Sequence, residues 1–188
     1  MNADVNARLI VVVGPSGAGK DSLLGWLRAH WSATRPVHWV RRTITRPAQA
    51  GGEDHESLDE AAFAAIHQAG GFVLHWQANG LHYGIRQQEL LPLAKGQWVM
   101  LNGSRAHLQE CAQAFPGMTV LLITADAEVL RRRLLSRGRE SEAAIEARLQ
   151  RAVHVQVPAG CRLLAVRNNN SLDAAGAQLL LELKFLWD

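Results

Sequence analysis

Apolar residues along the chain form short continuous runs that alternate with stretches of helical spacing. The run LIVVV at 9–13 is rich in β-branched residues and is ended by Gly-Pro, which predicts a buried parallel strand. Further runs of the same kind predict strands at 98–102, 118–124 and 162–167. Helical spacing follows these runs, and a closing helix is predicted over 171–186. The alternation predicts an α/β fold, with a mostly parallel sheet sandwiched by helices.

The region 34–95 interrupts this alternation. Its segments WVRRTIT, FVLHWQ and LHYGI are strand-like, and a helix is predicted near 59–69. We interpret the region as an inserted substrate-binding lobe, and the arginine-rich stretch 137–154 as a lid. The 188 residues are enough for one domain with a substantial core. The predicted core of this domain comprises 1–33, 96–136 and 155–188.

The segment GPSGAGKDSLL at 14–24 lies between the first predicted strand and a predicted helix. It matches G-x-x-x-x-G-K of the phosphate-binding loop, in which small residues let backbone N–H groups point at phosphates. A glycine-rich turn that binds nothing is the alternative, but it does not explain the strand, the helix and Lys20 together. We expect Lys20 to contact the β- and γ-phosphates of ATP. The predicted nucleotide-binding residues are Gly14, Pro15, Ser16, Gly17, Ala18, Gly19, Lys20, Asp21 and Ser22.

Asp21 stands where the loop pattern expects Ser or Thr. A carboxylate beside a polyphosphate is repelled unless a cation lies between them, and Mg²⁺ prefers oxygen ligands of this kind. One hypothesis is therefore that Asp21 faces magnesium. Alternatively, Asp21 complements the positive end of the following helix, or Ser22 supplies the hydroxyl if the loop register slips by one.

Composition narrows the possible partners. The formal net charge is +3, and arginine outnumbers lysine and clusters at 41–42, 131–133 and 137–139, which favours contact with phosphate oxygens. No interleaved aromatic pattern accompanies these clusters, so nucleic acid is not expected. The apolar runs are too short to span a membrane, and the N-terminus lacks a signal-peptide pattern, so we expect a cytoplasmic protein. Neither the cysteines nor the histidines have the spacing of a zinc site.

Several segments resemble the guanylate kinase group in order and spacing: TRP (45–47), GGE (51–53), FVLHWQANGLHYGI (72–85) and RRRLLSRGRESEAAIEARLQRA (131–152). Within that group, GPSGAGKDSLL, RRTITRPAQAGGEDHE and LNGSRAHL are similar to the ribose 1,5-bisphosphate phosphokinase family. The resemblance implies a guanylate kinase-like P-loop fold. It also implies transfer of phosphate from ATP, with Mg²⁺, to ribose 1,5-bisphosphate, giving 5-phosphoribosyl 1-diphosphate in phosphonate breakdown, by a monomer or homodimer.

The substrate lobe departs from guanylate kinases at the positions that read guanine. Their base-reading Glu and Ser or Thr are replaced by Leu74 and Ile85, which have no polar atoms and would leave a purine edge unpaired. The resemblance implies that three other residues bind the substrate phosphates: Arg42, Arg46 and Tyr83. His55 either replaces a further phosphate-binding tyrosine or is an ordinary loop histidine.

An acid ends the strand of guanylate kinases that matches WVMLN, whereas this chain has Asn102. We therefore hypothesise that the metal-facing carboxylate has moved to Asp21, with Asn102 beside the same Mg²⁺. Following the resemblance, Arg137 and Arg148 are the catalytic arginines of the lid, which hinges at Gly138. For the run 131–133 we prefer a solvated helix face.

In the expected reaction the 1-phosphate of the sugar is already ionised, so no general base is needed. Lys20, magnesium and the lid arginines would carry the catalysis. The resemblance also implies that Asn168, near a strand end, contacts adenine. Two other functions remain open: a guanylate or nucleoside monophosphate kinase, and a catalytically silent interaction module. A complete phosphate loop disfavours the module, and a measurement of ATP binding separates it from either kinase.

Overall fold

The structure, a computed structural model, describes residues 3–32, 36–47, 53–138, 141–150 and 155–187. The strands in these ranges are β1 (Leu9–Val13), β2 (Val37–Trp39), β3 (Arg42–Ile44), β4 (His55–Ser57), β5 (Phe72–Ala78), β6 (Leu81–Arg86), β7 (Trp98–Asn102), β8 (Thr119–Thr124) and β9 (Arg162–Arg167). The helices there are α1 (Ala3–Asn6), α2 (Lys20–His30), α3 (Glu60–Gln68), α4 (Leu91–Ala94), α5 (Leu108–Ala114), α6 (Ala127–Arg137), α7 (Glu142–Gln150) and α8 (Leu172–Trp187).

The larger sheet has five parallel strands in the order β2-β7-β1-β8-β9. Its central strand β1 is wholly buried, as its continuous apolar run predicts. Alternate side chains of β1 enter two different cores because successive residues of a strand face opposite sides. Ile10 and Val12 pack with residues of α2 and α8, whereas Leu9, Val11 and Val13 pack towards the inserted lobe and α5. The predicted α/β fold, with its parallel sheet between helices, is therefore confirmed.

The smaller sheet is mixed, in the order β4-β3-β6-β5. β5 and β6 form an antiparallel hairpin whose turn, Asn79-Gly80, has positive φ at both residues, 52° and 74°. Asn-Gly is the dipeptide that such a tight turn favours. The helix α3 of the same region begins after Asp59, whose side chain accepts a hydrogen bond from the Ala62 N–H at 2.7 Å.

The inserted region begins later than the sequence suggests. WVRRTIT does not form one strand-like unit, since the chain leaves β2 at Trp39 and enters β3 at Arg42. β2 pairs with β7, which makes it the edge strand of the larger sheet. The stretch 34–95 therefore does not lie wholly in a separate lobe. β2 and β3 have similar local sequence patterns, but β2 joins the larger sheet and β3 the smaller one. Pairing with strands distant in sequence decides which sheet each of them joins.

The predicted lid, 137–154, begins at the last residue of α6 and includes α7. Gly138 ends α6 in the left-handed conformation, with φ of 60°, which glycine adopts without steric cost. The guanidinium of Arg131 on α6 donates to Glu146 of α7 at 2.7 Å, so an ion pair joins the two helices. None of the helices in the described ranges combines the length and apolarity needed to cross a membrane.

Candidate functional site

The phosphate loop runs from Gly14 to Gly19 and connects the buried strand β1 to α2. A Cβ atom on Gly14 would lie 2.0 Å from the carbonyl oxygen of Ile123 in β8, so only glycine fits there. Gly19 has a φ of 83°, and a Cβ on it would lie 2.6 Å from the amide nitrogen of Asn168. The glycines are thus required both by the backbone conformation and by close packing against β8 and the end of β9.

Helix α2 begins at Lys20, directly after the loop, and no side chain caps its first turn. A helix N-terminus without a side-chain cap presents backbone N–H groups and a partial positive charge to an anion. The Lys20 ammonium group donates to the carbonyl oxygens of Gly14 at 2.9 Å and Pro15 at 3.4 Å, so it lies across the loop. Cation and helix terminus therefore lie together, as the loop pattern predicts.

Arg133 also belongs to this site, although the preferred interpretation of the run 131–133 was a solvated helix face. Its guanidinium is half-buried and donates to the carbonyl oxygen of Gly17 at 3.4 Å. For Arg133 the preferred interpretation is wrong, because α6 packs its inner face against the phosphate loop. The spacing contains a signal for this placement, since Arg133 precedes Arg137 by four residues and therefore lies on the same helix face.

Asn168 lies behind the loop. It is only 3% exposed, and its amide group donates to the carbonyl oxygen of Ala18 at 2.8 Å. Its backbone N–H donates to Thr124 at 2.7 Å, which holds the end of β9 against the end of β8. Parallel strands bring their carboxyl ends to one edge of a sheet, so Asn168, at the end of β9, lies beside the phosphate loop that follows β1. The amide nitrogen of Asn168 thus supports the loop, and the expected contact of this residue with adenine stays a prediction.

Two carboxylates and one amide meet at the carboxyl end of β7. The Nδ2 atom of Asn102 donates to Asp21 Oδ1 at 2.8 Å and to Glu53 Oε2 at 3.1 Å. Asn102 is 6% exposed, and its Oδ1 atom is buried without a hydrogen-bond partner in the described part of the chain. The predicted pair Asp21 and Asn102 is therefore in direct contact. Sequence reasoning missed Glu53 as a site residue, although it belongs to the GGE segment that carries the resemblance.

The oxygen atoms of this cluster suit a hard divalent cation. Among the described residues, no three or more His, Cys, Asp or Glu side chains are grouped so that they alone would hold a metal. Mg²⁺, however, usually takes only one or two carboxylates together with phosphate oxygens and water. The two carboxylates fit that smaller requirement, and the oxygen of Asn102 would join them if its amide group turned over.

Arg42 and Tyr83 adjoin the cluster on the lobe side. The Arg42 guanidinium donates to Glu53 Oε1 through Nε at 2.7 Å and also through Nη2, and the side chain is 12% exposed. It lies over the Tyr83 ring, 5.1 Å from its centre, and that ring stacks on Trp76 with centroids 5.4 Å apart. A continuous path of contacts therefore leads from Asp21 to the aromatic floor of the lobe.

Arg46 and His55 contact each other next to Glu53. His55 is 4% exposed, and its Nε2 atom lies 3.0 Å from the Arg46 carbonyl oxygen while its Nδ1 atom lies 3.4 Å from Arg46 Nη2. Its Nδ1 atom also lies 3.0 Å from the carbonyl oxygen of Glu53. Burial gives His55 a structural role in joining β4 to the loop. Arg46 Nε, by contrast, is buried and unpaired within the described ranges, so this cation retains a donor for an anion.

The positions that would read a purine are closed and apolar. Leu74 and Ile85 face each other across the β5–β6 hairpin and are 8% and 0% exposed. The polar pair beside them is already complete: Arg86 donates to both carboxylate oxygens of Glu56, at 3.0 and 2.8 Å, and Thr43 donates to one at 2.6 Å. The hydrogen bond from Arg86 is the main cause that lowers the pKa of Glu56, against the opposing effect of burial.

The remaining predictions fall on parts that the structure does not describe. Arg137 ends α6 and Arg148 lies in α7, but their side chains are not among those described. Guanylate kinases have a further phosphate-binding arginine and tyrosine in the stretch that matches 48–58, and residues 48–52 of this stretch also lie outside the described residues. The lid arginines therefore stay predictions.

Comparison with known proteins gives a consistent result. A family model described as guanylate kinase matches residues 6–182. A ribose 1,5-bisphosphate phosphokinase of Laribacter hongkongensis is 48% identical over 92% of this chain, which spans 42% of that relative's length. One of Thiobacillus denitrificans is 43% identical over 92% of this chain and 90% of its own length. A crystal structure of guanylate kinase from Anaplasma phagocytophilum matches with a TM-score of 0.58 and 18% identity, covering 94% of this chain and 84% of that one.

Proposed function

The chain belongs to the ribose 1,5-bisphosphate phosphokinase family of guanylate kinase-like proteins, and on that premise we propose that it phosphorylates ribose 1,5-bisphosphate with ATP. The products are 5-phosphoribosyl 1-diphosphate and ADP. The observation that carries the proposal is the pairing of a complete phosphate loop with a lobe whose described residues offer arginines, and apolar side chains at the two predicted base-reading positions. Leu74 and Ile85 are buried and apolar where a purine kinase needs hydrogen-bonding partners.

The proposed reaction joins the sugar 1-phosphate to the γ-phosphoryl group of ATP. An oxygen of the 1-phosphate forms the new bond to the γ-phosphorus while the bond to the β-phosphate oxygen breaks, and ADP departs with that electron pair. The attacking oxygen is already ionised at neutral pH, so no residue has to remove a proton. What the protein must supply is alignment of the two phosphates and neutralisation of their charge.

We assign this work to a small set of residues. Lys20 and the N-terminus of α2 hold the β- and γ-phosphates, and Arg133 approaches the same loop from α6. Arg42, Arg46 and Tyr83 hold the sugar phosphates, with the unpaired Nε of Arg46 as one ready donor. Arg137 and Arg148 of the lid neutralise charge on the transferred group and help to exclude water, which suppresses hydrolysis of ATP.

Mg²⁺ is the divalent cation we propose to accompany ATP, with Asp21 and Asn102 as the residues that would face it. When bound, such a cation neutralises phosphate charge that Asp21 would otherwise repel. Replacing Asp21 by Ser tests this assignment, because the magnesium concentration needed for half-maximal activity should rise. An unchanged magnesium requirement would mean that Asp21 only complements the helix terminus.

The direct test of the function is ³¹P NMR with Mg-ATP and either ribose 1,5-bisphosphate or GMP as acceptor. We expect a new pair of diphosphate doublets and ADP in the sugar sample alone. Transfer to GMP alone would instead establish a nucleoside monophosphate kinase. Binding of ATP without transfer to either acceptor would point to a different acceptor, and absence of ATP binding would indicate an interaction module.

The proposal also implies which partners the protein has, how it assembles and where it acts. We expect ATP and a sugar phosphate as its small-molecule partners, no nucleic acid partner, and a monomer or homodimer in the cytoplasm. Phosphonate breakdown and general supply of 5-phosphoribosyl 1-diphosphate are the two pathways that the proposal allows.

A further inference from the structure

Glu53 connects the substrate side of the site to the nucleotide side. Its Oε1 atom accepts two hydrogen bonds from Arg42, at 2.7 Å from Nε and through Nη2. Its Oε2 atom accepts from Asn102 Nδ2 at 3.1 Å. The side chain is 18% exposed. Each carboxylate oxygen is therefore used by a different half of the site, which an ion pair with Arg42 alone does not require.

The Asn102 amide group separates Glu53 from a second carboxylate. Its nitrogen lies 2.8 Å from Asp21 Oδ1 and 3.1 Å from Glu53 Oε2. Two carboxylates held this close repel each other unless a donor or a cation lies between them. The two amide hydrogens now fill that place, since an amide nitrogen has two donors to offer.

The other end of the same amide gives an independent indication of a ligand. Asn102 is only 6% exposed, and its Oδ1 atom has no hydrogen-bond partner among the residues that the structure describes. A buried carbonyl oxygen left unpaired costs free energy, so its retention calls for a reason. If the amide turned over, Oδ1 would face the two carboxylates in place of Nδ2, and Nδ2 would take the buried position that Oδ1 now occupies. The cluster then offers three oxygen donors, the ligand type that divalent hard cations take.

We propose that Glu53 is the second carboxylate of the divalent-cation site, together with Asp21 and the Oδ1 atom of Asn102, and that the same side chain orients Arg42. The inference rests on the proposed function in one respect, namely that a divalent cation accompanies ATP at this place. It adds a physical connection between the two substrates: the loop that carries Glu53 must be in place for full cation affinity. Because linkage is reciprocal, cation binding then favours the position of Arg42.

The test is a titration of the protein with Mn²⁺, with and without a non-hydrolysable ATP analogue. The EPR signal of the free ion reports how much Mn²⁺ is bound. Glu53→Gln keeps the side-chain volume and one oxygen for Arg42 but removes the charge. We expect its Mn²⁺ dissociation constant to rise by about tenfold relative to the wild type, in the range for loss of a group that supports a metal site.

Glu56→Gln is the matched control. Glu56 lies in β4 of the same lobe and is also paired with an arginine, but its hydrogen-bond partners are Arg86 and Thr43 rather than Asn102. Its Mn²⁺ affinity should equal that of the wild type. Equal affinities for the Glu53→Gln variant and the wild type would overturn the proposal, and so would equal weakening by both substitutions.

A second variant covers the case in which Glu53→Gln does not fold, as judged by thermal melting. Glu53→Asp keeps the charge but shortens the side chain by one methylene, so we expect weaker Mn²⁺ binding there too, and an unchanged affinity would contradict the proposal. Failure of the proposed function is a separate outcome. Formation of 5-phosphoribosyl 1-diphosphate with no effect of Glu53 on Mn²⁺ rejects only this inference. Loss of Mn²⁺ affinity in an enzyme that makes no diphosphate rejects only the function.

Discussion

The phosphate loop and the substrate lobe are built in different ways. The loop consists of backbone groups, glycines and one lysine, and its geometry follows from two positive-φ residues and a close approach to β8. The lobe is organised by charged side chains that pair with one another, Arg42 with Glu53 and Arg86 with Glu56. The loop is thus rigid and intolerant of added atoms, whereas the lobe depends on charges that substitution or pH can unbalance.

The largest expected effect is on the loop. Replacing Lys20 by Ala removes the cation that lies across it, and kcat/KM should fall between about a hundredfold and a thousandfold, as for other groups that stabilise transition-state charge. Steady-state kinetics measures this fall, and circular dichroism should show an unchanged fold. Lys95→Ala, at an exposed position, serves as the control and should retain activity.

The next effect is on the boundary between loop and lobe. Asn102→Asp adds a third carboxylate beside Asp21 and Glu53, so activity should fall by about tenfold or more through repulsion. Adding Asp21→Ser to this variant restores the original number of charges and should recover much of the loss. A double-mutant cycle measures the coupling. If the losses of activity in the two single variants simply add in the double variant, a carboxylate at position 102 does not replace the one at position 21.

In the lobe, replacing Arg42 by Ala should raise the KM for the sugar phosphate while kcat changes less. Loss of a charge-assisted hydrogen bond costs about 1.5–3 kcal/mol, which corresponds to roughly a ten- to hundredfold rise. The adjacent Arg41, 54% exposed and paired with an exposed Asp54, supplies the control Arg41→Ala. A similar rise in KM for both variants would mean that the general positive charge of the lobe matters more than the position of Arg42.

The smallest effect concerns pH. The pKa of Glu56 is lowered in the folded protein, chiefly by its hydrogen bond from Arg86. The stabilisation is therefore complete above the pKa of an unfolded glutamate and is lost as pH falls through the lower folded value. Thermal melts from neutral to acid pH should show a decrease in this window, and Glu56→Gln should make that decrease shallower. The effect is small because the pair is partly exposed.

The accuracy of prediction differs between the two regions for a physical reason. Local patterns were sufficient for β1, the phosphate loop and α2, since a continuous apolar run, glycine spacing and Lys20 are all adjacent in sequence. They were insufficient for β2, which pairs with β7 about sixty residues away in the larger sheet. They were also insufficient for Arg133, because a solvated arginine and one packed on a loop have the same local sequence pattern.

The sequence by itself determined the elements whose cause is local: the buried strands, the turn at Asn79-Gly80, the phosphate loop and the apolar residues Leu74 and Ile85 in the lobe. Only the tertiary structure decided which distant groups meet. Asp21, Glu53 and Asn102 come from three separate segments, and Asn168 supports a loop that precedes it by 150 residues. Hydrogen bonds and repulsion between charges act over a few ångströms in space, whatever the separation along the chain, so such groups become recognisable only when the fold brings them together.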